Sequence, residues 1–329
     1  MNEESIETIR ETTRNLIVLN RRKTRDEEAD IRRSMAELRI DPGTILMLAN
    51  KLKTKSPISV SELQTLKNAL IDDVANIQVV LNTHGALRGL VRELTGHEVN
   101  KQCAAAGCCC NLALGDARAG VAVVKAAGPY LVSTLDSLTT ELAVTCAWTL
   151  GNLAGSGPKA CELLTSQGGL AKLIELLESS NDEIKDAALY ALVRFAHQLK
   201  DDLRTEHLQK IFQMLPRLDI TATPQLLFIL SCHNDFSISL LTEEHARILL
   251  QYLIISIKKC DEENTIYLLR FLANIDCKEV YNVFLSLLVE NNMVEVVKSL
   301  FENESVMWCL GNAFAMCSDH VFFEMLLKL

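Results

Sequence analysis

Two side chains four residues apart, Trp148 and Asn152, carry the most specific chemistry in this chain. Positions i and i+4 of a helix share a face, so both can look the same way. An Asn amide offers donors and an acceptor, enough to bind one backbone N–H and one C=O of an extended peptide regardless of its side chains. An indole face offers a wall for a Lys or Arg stem, with a cation–π attraction of about 0.5–2 kcal/mol. The pair recurs as Trp308 and Asn312, and Asn111 and Asn274 repeat the amide without the indole. Other chemistries find little footing. The run Cys108-Cys109-Cys110 looks like a ligand set, but neighbouring helical residues point about 100° apart and cannot converge on one metal. No Cys-x-x-Cys pair is present and the seven His are scattered, so neither a metal nor a cofactor is expected. Phosphate-loop, dinucleotide, zinc-hydrolase and nucleophile-elbow motifs are absent. Acidic pairs such as Asp72-Asp73, Asp201-Asp202 and Glu243-Glu244 fall at predicted helix edges, where carboxylates cap or are solvated. The sequence predicts no enzyme.

The elements that position the Trp and Asn residues form a repeat. The segments Cys103–Asp116, Leu142–Ser156 and Lys185–Leu199 align, with Asn111, Asn152 and Arg194 in one register, 41 and 42 residues apart. Gly107 and Tyr190 fall in the register of Trp148. Upstream, Gly85, Gly128 and Gly168 mark a second register, and a short amphipathic run follows each. The physical unit is a helix ending at Gly, whose freedom to adopt the left-handed conformation caps it, then a helix of roughly ten residues, a polar break, and a longer third helix. That third helix is apolar almost all round, as Ala147, Leu150, Leu153 and Ala154 show, so several neighbours must cover it. Stacked copies provide the cover, which makes a solenoid. A period near 42 with three helices is the armadillo pattern.

The segment AWTLGNLAGSGPKACELLTSQGGLAKLIELLES closely resembles a repeat of the importin-alpha (karyopherin-alpha) family, in which a Trp and an Asn four residues on recur on the third helix. The resemblance implies an all-α, right-handed α-α superhelix, an armadillo-repeat solenoid over residues 45–329 with about seven units, the last incomplete, behind a charged N-terminal helix over residues 1–44. The unit after Lys200 is degenerate, its first helix short or missing, with Pro224 near the start of its third. In that family the groove binds nuclear localisation signals. The resemblance carries this role to Asn111, Trp148, Asn152, Asn274, Trp308 and Asn312, and implies a basic peptide ligand and a place in cytoplasm and nucleus. Arg194, at the Asn register, sets a cation where a basic ligand prefers a neutral amide.

Family members also carry a basic N-terminal segment that docks on importin-beta. Arg21, Arg22, Lys23, Arg25, Arg32 and Arg33 match it, although the first 40 residues hold nine basic and nine acidic side chains. The other reading of this stretch is a solvated helix laced with i,i+4 pairs, or a short coiled coil. An Arg-rich start followed by armadillo repeats is also similar to the transmembrane and coiled-coil domain-containing protein 6 family, itself importin-alpha-like. No stretch reaches the roughly 20 apolar residues of a membrane helix, and the first residues contain no apolar signal core. Membrane insertion is therefore not expected, and the cysteines read as reduced thiols of a cytosolic or nuclear protein. The net charge of -9 gives no basic excess for nucleic acid. The C-terminal run DHVFFEMLLKL is an apolar helix without a polar cap, so self-association is expected there. Two other functions stay open, a non-transport interaction scaffold and a chaperone-like holder of a basic client.

Overall fold

A computed structural model describes residues 41–199, 202–214, 223–233 and 243–274. The described residues hold fourteen α-helices and no strand. They fall into two compact units that divide between Leu199 and Lys200, where the repeat pattern loses its first helix.

Among the described residues the first unit begins with two helices, α1 (Pro42–Thr54) and α2 (Val60–Asp72). A full three-helix repeat follows: α3 (Val74–Asn82), α4 (Ala86–Leu94) and α5 (Val99–Leu112). The next comprises α6 (Ala117–Thr134) and α7 (Thr140–Gly155), and the last is α8 (Pro158–Ser166), α9 (Gly169–Leu176) and α10 (Asp182–Leu199). In the second unit, α11 (Thr205–Met214) precedes α12 (Thr223–Ser231), and α13 (Glu243–Lys258) precedes α14 (Glu262–Ala273). As the sequence predicts, only one helix stands between Lys200 and the third-type helix α12 among the described residues.

Local chemistry sets these boundaries. Ser59 and Glu62 close a capping box on α2, each bonding the other's backbone N–H. Asp73, Asp116 and Asp261 cap α3, α6 and α14 by accepting from backbone N–H groups one turn in, each cap worth about 1 kcal/mol. Gly85 and Gly168 take φ of 96° and 86° at the junctions before α4 and α9, the left-handed geometry that glycine adopts without a Cβ penalty. Gly128-Pro129, the expected third junction, does something else. The chain runs through it as one helix from Ala117 to Thr134, with Pro129 inside. Gly128 serves close packing instead of a turn: a Cβ there would lie 2.1 Å from Oε1 of Gln167, the residue that ends α8.

The third helices α2, α5, α7 and α10 pack successively, each on the next. Residues 104–112 of α5 are all buried, as are residues 149–155 of α7. Small side chains make this possible, because Ala, Gly and Cys let two backbones approach. The approach is closest at Gly151, where a Cβ would stand 2.9 Å from Cα of Ala191 and 3.0 Å from the Tyr190 ring. In the second unit α12 packs on α14, and Leu226, Leu227, Leu230, Leu269 and Phe271 on these helices are buried.

Gly151→Ala must push α7 and α10 apart. Overpacking of this kind costs about 1–3 kcal/mol, read as a lower urea midpoint. An unchanged midpoint would show that the two helices are not in this contact.

Candidate functional site

Asn111, Trp148 and Asn152 sit on the third helices α5 and α7, Asn274 ends α14, and their side chains reach across to neighbouring helices. Trp148 on α7 and Tyr190 on α10 are both partly exposed, and their ring centroids lie 6.2 Å apart at 49°. This is a tilted aromatic pair, a favoured arrangement. One turn along α10, the guanidinium of Arg194 lies 5.2 Å from the Tyr190 ring centroid. Trp148 and Tyr190, which share a register in the sequence, thus form with Arg194 a continuous surface of indole, phenol and guanidinium.

Asn152 lies beneath it, 4% exposed. Its Nδ2 donates to Sγ of Cys110 at 3.3 Å and, at the limit of hydrogen bonding, to the Cys110 carbonyl at 3.5 Å. Its Oδ1 accepts from the Tyr190 hydroxyl at 2.7 Å. One amide therefore joins three successive third helices. Asn111 repeats the inward bond: it is fully buried and its Nδ2 donates to the Lys67 carbonyl. In the second unit the exposed Asn274 donates to Ser231 Oγ at 2.9 Å and Cys232 Sγ at 3.4 Å. All three amide nitrogens turn toward the preceding third helix, not toward solvent, for a physical reason. The helices are close enough for an Asn to reach across, and for the buried Asn111 and Asn152 an amide left unbonded costs about 1–3 kcal/mol. Packing between repeats is what the structure shows for Asn111, Asn152 and Asn274. Trp308 and Asn312, and the basic residues Arg21, Arg22, Lys23, Arg25, Arg32 and Arg33, lie outside the described residues.

The register also reveals a position that sequence reading passed over. Asn68 on α2 stands 43 residues before Asn111, next to the carbonyl of Lys67 that Asn111 binds. The spacing could have found it. No sequence signal foretold the role of the Tyr190 hydroxyl as the second clamp on Asn152. At Gly107, in the Trp148 register, the stem of Lys67 fills the space: an added Cβ would meet its Cδ at 2.6 Å.

Charge divides along the third helices. Glu141, Glu183 and Asp186 are exposed near the N-terminal ends of α7 and α10, one or two turns before Trp148 and Tyr190 and so on their faces. Arg194 follows Tyr190. Cys103 lies between opposite charges: burial, then Glu141, raises its thiol, and Lys67 opposes them. A similar cation–aromatic stack occurs in the second unit, with Arg270 lying 5.6 Å over Phe228. The thiols of the third helices are chemically quiet. Burial pushes Cys109 and Cys161 up to about 12, and burial with Cys109, Cys103 and Cys110 nearby raises Cys146. Among the described residues no group of His, Cys, Asp and Glu is placed to hold a metal ion, and no helix is long and apolar enough to cross a membrane.

No protein-family model and no curated protein matches the chain. Among solved structures, an engineered protein from the Northeast Structural Genomics Consortium is similar at 20% identity and a TM-score of 0.64, covering 87% of this chain and 71% of its own. A designed armadillo repeat protein is similar at 21% identity and a TM-score of 0.48, over 85% of this chain and 99% of its own. Another, crystallised with the peptide (KR)4, has 20% identity and a TM-score of 0.46, over 87% and 100%. Identities this low speak only to the fold. The successive packing of the third helices and their register of about 42 residues make the first unit an all-helical solenoid of armadillo type.

Asn111→Ala removes a buried bond between repeats and is expected to lower stability by about 1–3 kcal/mol, whereas the partly exposed Asn68→Ala should stay within about 0.5 kcal/mol. Equal effects in denaturant titrations would contradict the inward staple. Thiol labelling read by peptide mapping tests the burial separately. At pH 8 Cys103, Cys232 and Cys260 should react in the native protein, and Cys109, Cys146 and Cys161 should not. Folding holds these three thiols above the ordinary value of 9.0. At these thiols unfolding leaves proton binding unchanged below about pH 8 and releases protons from about pH 9 upward. Stability should fall as pH rises from about 9 toward 12; a flat stability profile there would oppose the assignment.

Proposed function

We propose that this chain is a protein-binding adaptor that takes an extended, basic peptide along the third-helix face of its repeats, as adaptors of nuclear import do. One observation carries the reading: two partly exposed aromatic rings, Trp148 and Tyr190, stand side by side on successive third helices with Glu141, Glu183 and Asp186 on the same faces. Aromatic walls hold Lys and Arg stems through apolar contact and cation–π attraction, and the carboxylates add attraction for the ammonium or guanidinium heads. Asn152 supports the face from beneath by fixing the Tyr190 hydroxyl. In this reading Trp308 and Asn312 also bind peptide, the basic cluster from Arg21 to Arg33 contacts importin-beta, the C-terminal run self-associates, and the protein works between cytoplasm and nucleus.

The inward amides of Asn111 and Asn152 favour a second reading, an interaction scaffold or client holder that contacts folded partners without reading a peptide backbone. Fluorescence anisotropy with a labelled lysine-rich peptide separates the two. The adaptor reading expects saturable binding that weakens about tenfold or more in Trp148→Ala, the loss of roughly one cation–π contact and its apolar cover. Circular dichroism checks that the variant is folded. Absence of binding by the unaltered protein would sink the adaptor reading in favour of the scaffold.

A further inference from the structure

Arg194 is a cation in a column of amides. It shares the register of Asn111 and Asn152, yet with no acceptor it cannot reproduce the bond that Asn152 accepts from the Tyr190 hydroxyl. Its surroundings hold it without neutralising it. The stem runs over Gly155, where an added Cβ would touch its Cδ at 3.7 Å. The guanidinium lies on the Tyr190 ring. The ring itself is fixed, because its hydroxyl is bonded to Asn152. Among the described residues Arg194 enters none of the ion pairs, and its Nε is buried with no hydrogen-bond partner. The side chain is only partly exposed.

A cation drawn out of water without a counter-ion and with an unmet donor is unfavourable. The pairing it lacks is an oxyanion. A guanidinium presents a planar fork that matches a carboxylate with two parallel N–H···O bonds. The aromatic beneath Arg194 leaves the fork's edge to be met by a ligand, and the fixed ring reduces the side-chain entropy lost on binding.

We propose that Arg194 reads a carboxylate: the peptide bound on the Trp148–Tyr190 face carries an Asp or Glu side chain that pairs with this guanidinium. The proposal rests on the peptide-binding reading and narrows the ligand from a basic peptide to one of mixed charge, a Lys or Arg stem on the aromatic pair and an acid beyond it. The ring-to-ring step, 6.2 Å, crosses from α7 to α10, and the ring-to-guanidinium step, 5.2 Å, runs one turn along α10, so the acid meets Arg194 beside the aromatic pair. The arrangement also selects against uninterrupted basic runs, whose next cation would meet Arg194.

The test uses the full-length chain and labelled lysine-rich peptides in which one position at a time is Glu, Gln or phosphoserine. At one position the Glu peptide should bind about tenfold more tightly than its Gln counterpart, the scale of one charge-assisted pair. Arg194→Gln should bind the Glu and Gln peptides alike. Arg194→Glu should reverse the preference, favouring Lys over Glu at that position, a gain that damage to the fold cannot produce. If the unaltered protein binds the lysine-rich peptide but shows no Glu preference at any position, this assignment fails and the peptide-binding reading stands. If phosphoserine alone gains, the ligand group is a phosphate and the carboxylate is ruled out. If none of the peptides binds, both fail together.

Discussion

The first unit depends on how closely successive third helices approach. A buried helix that is apolar on all sides has few ways to meet its neighbours, and here the chain takes the tightest. Ala, Gly and Cys line the contacts, so backbones come near enough for an Asn on one helix to reach the backbone or thiol of the helix before it. Burying an amide is unfavourable unless it is bonded, so each such Asn favours one register of stacking over others. The same contact fixes the exposed side. Tyr190 must stand where its hydroxyl meets Asn152, and Trp148 and Arg194 are arranged around its ring. Interior packing and the exposed surface beside it are thus set by one column of side chains.

This arrangement suits a binding face. Aromatic rings held by buried partners lose little freedom when a ligand arrives. Armadillo-type repeats supply such positions at regular intervals, and individual repeats can differ without changing the scaffold. In this chain the register carries Gly107 under the Lys67 stem, then Trp148, then Tyr190. Each position offers a ligand a different chemistry on the same backbone plan.

Much of the fold was legible in the sequence, because the signals were local and recurrent. Gly85 and Gly168 marked junctions that do take positive φ. The even burial of α5 and α7 followed from a helix with no polar stripe. Gly128-Pro129 misled, since its Gly could serve a turn or a close approach, and only the position of Gln167 decides between them. The site was legible as a register and not as a direction. An Asn at the Trp-plus-four position can turn inward or outward, and the choice depends on the distance to the previous helix, which no single repeat encodes. Tyr190 could be placed opposite Trp148 by counting, but its bond to Asn152 requires the two helices to be brought together first.

The central claim is that Asn152 and Tyr190 form one unit linking the packing of the third helices to the surface they present. A double-mutant cycle measures it most directly: urea unfolding of Asn152→Ala, Tyr190→Phe and the double variant. A bonded pair predicts a coupling of about 0.5–3 kcal/mol between the two changes. Strictly additive effects would show that hydroxyl and amide do not meet, and would contradict the account.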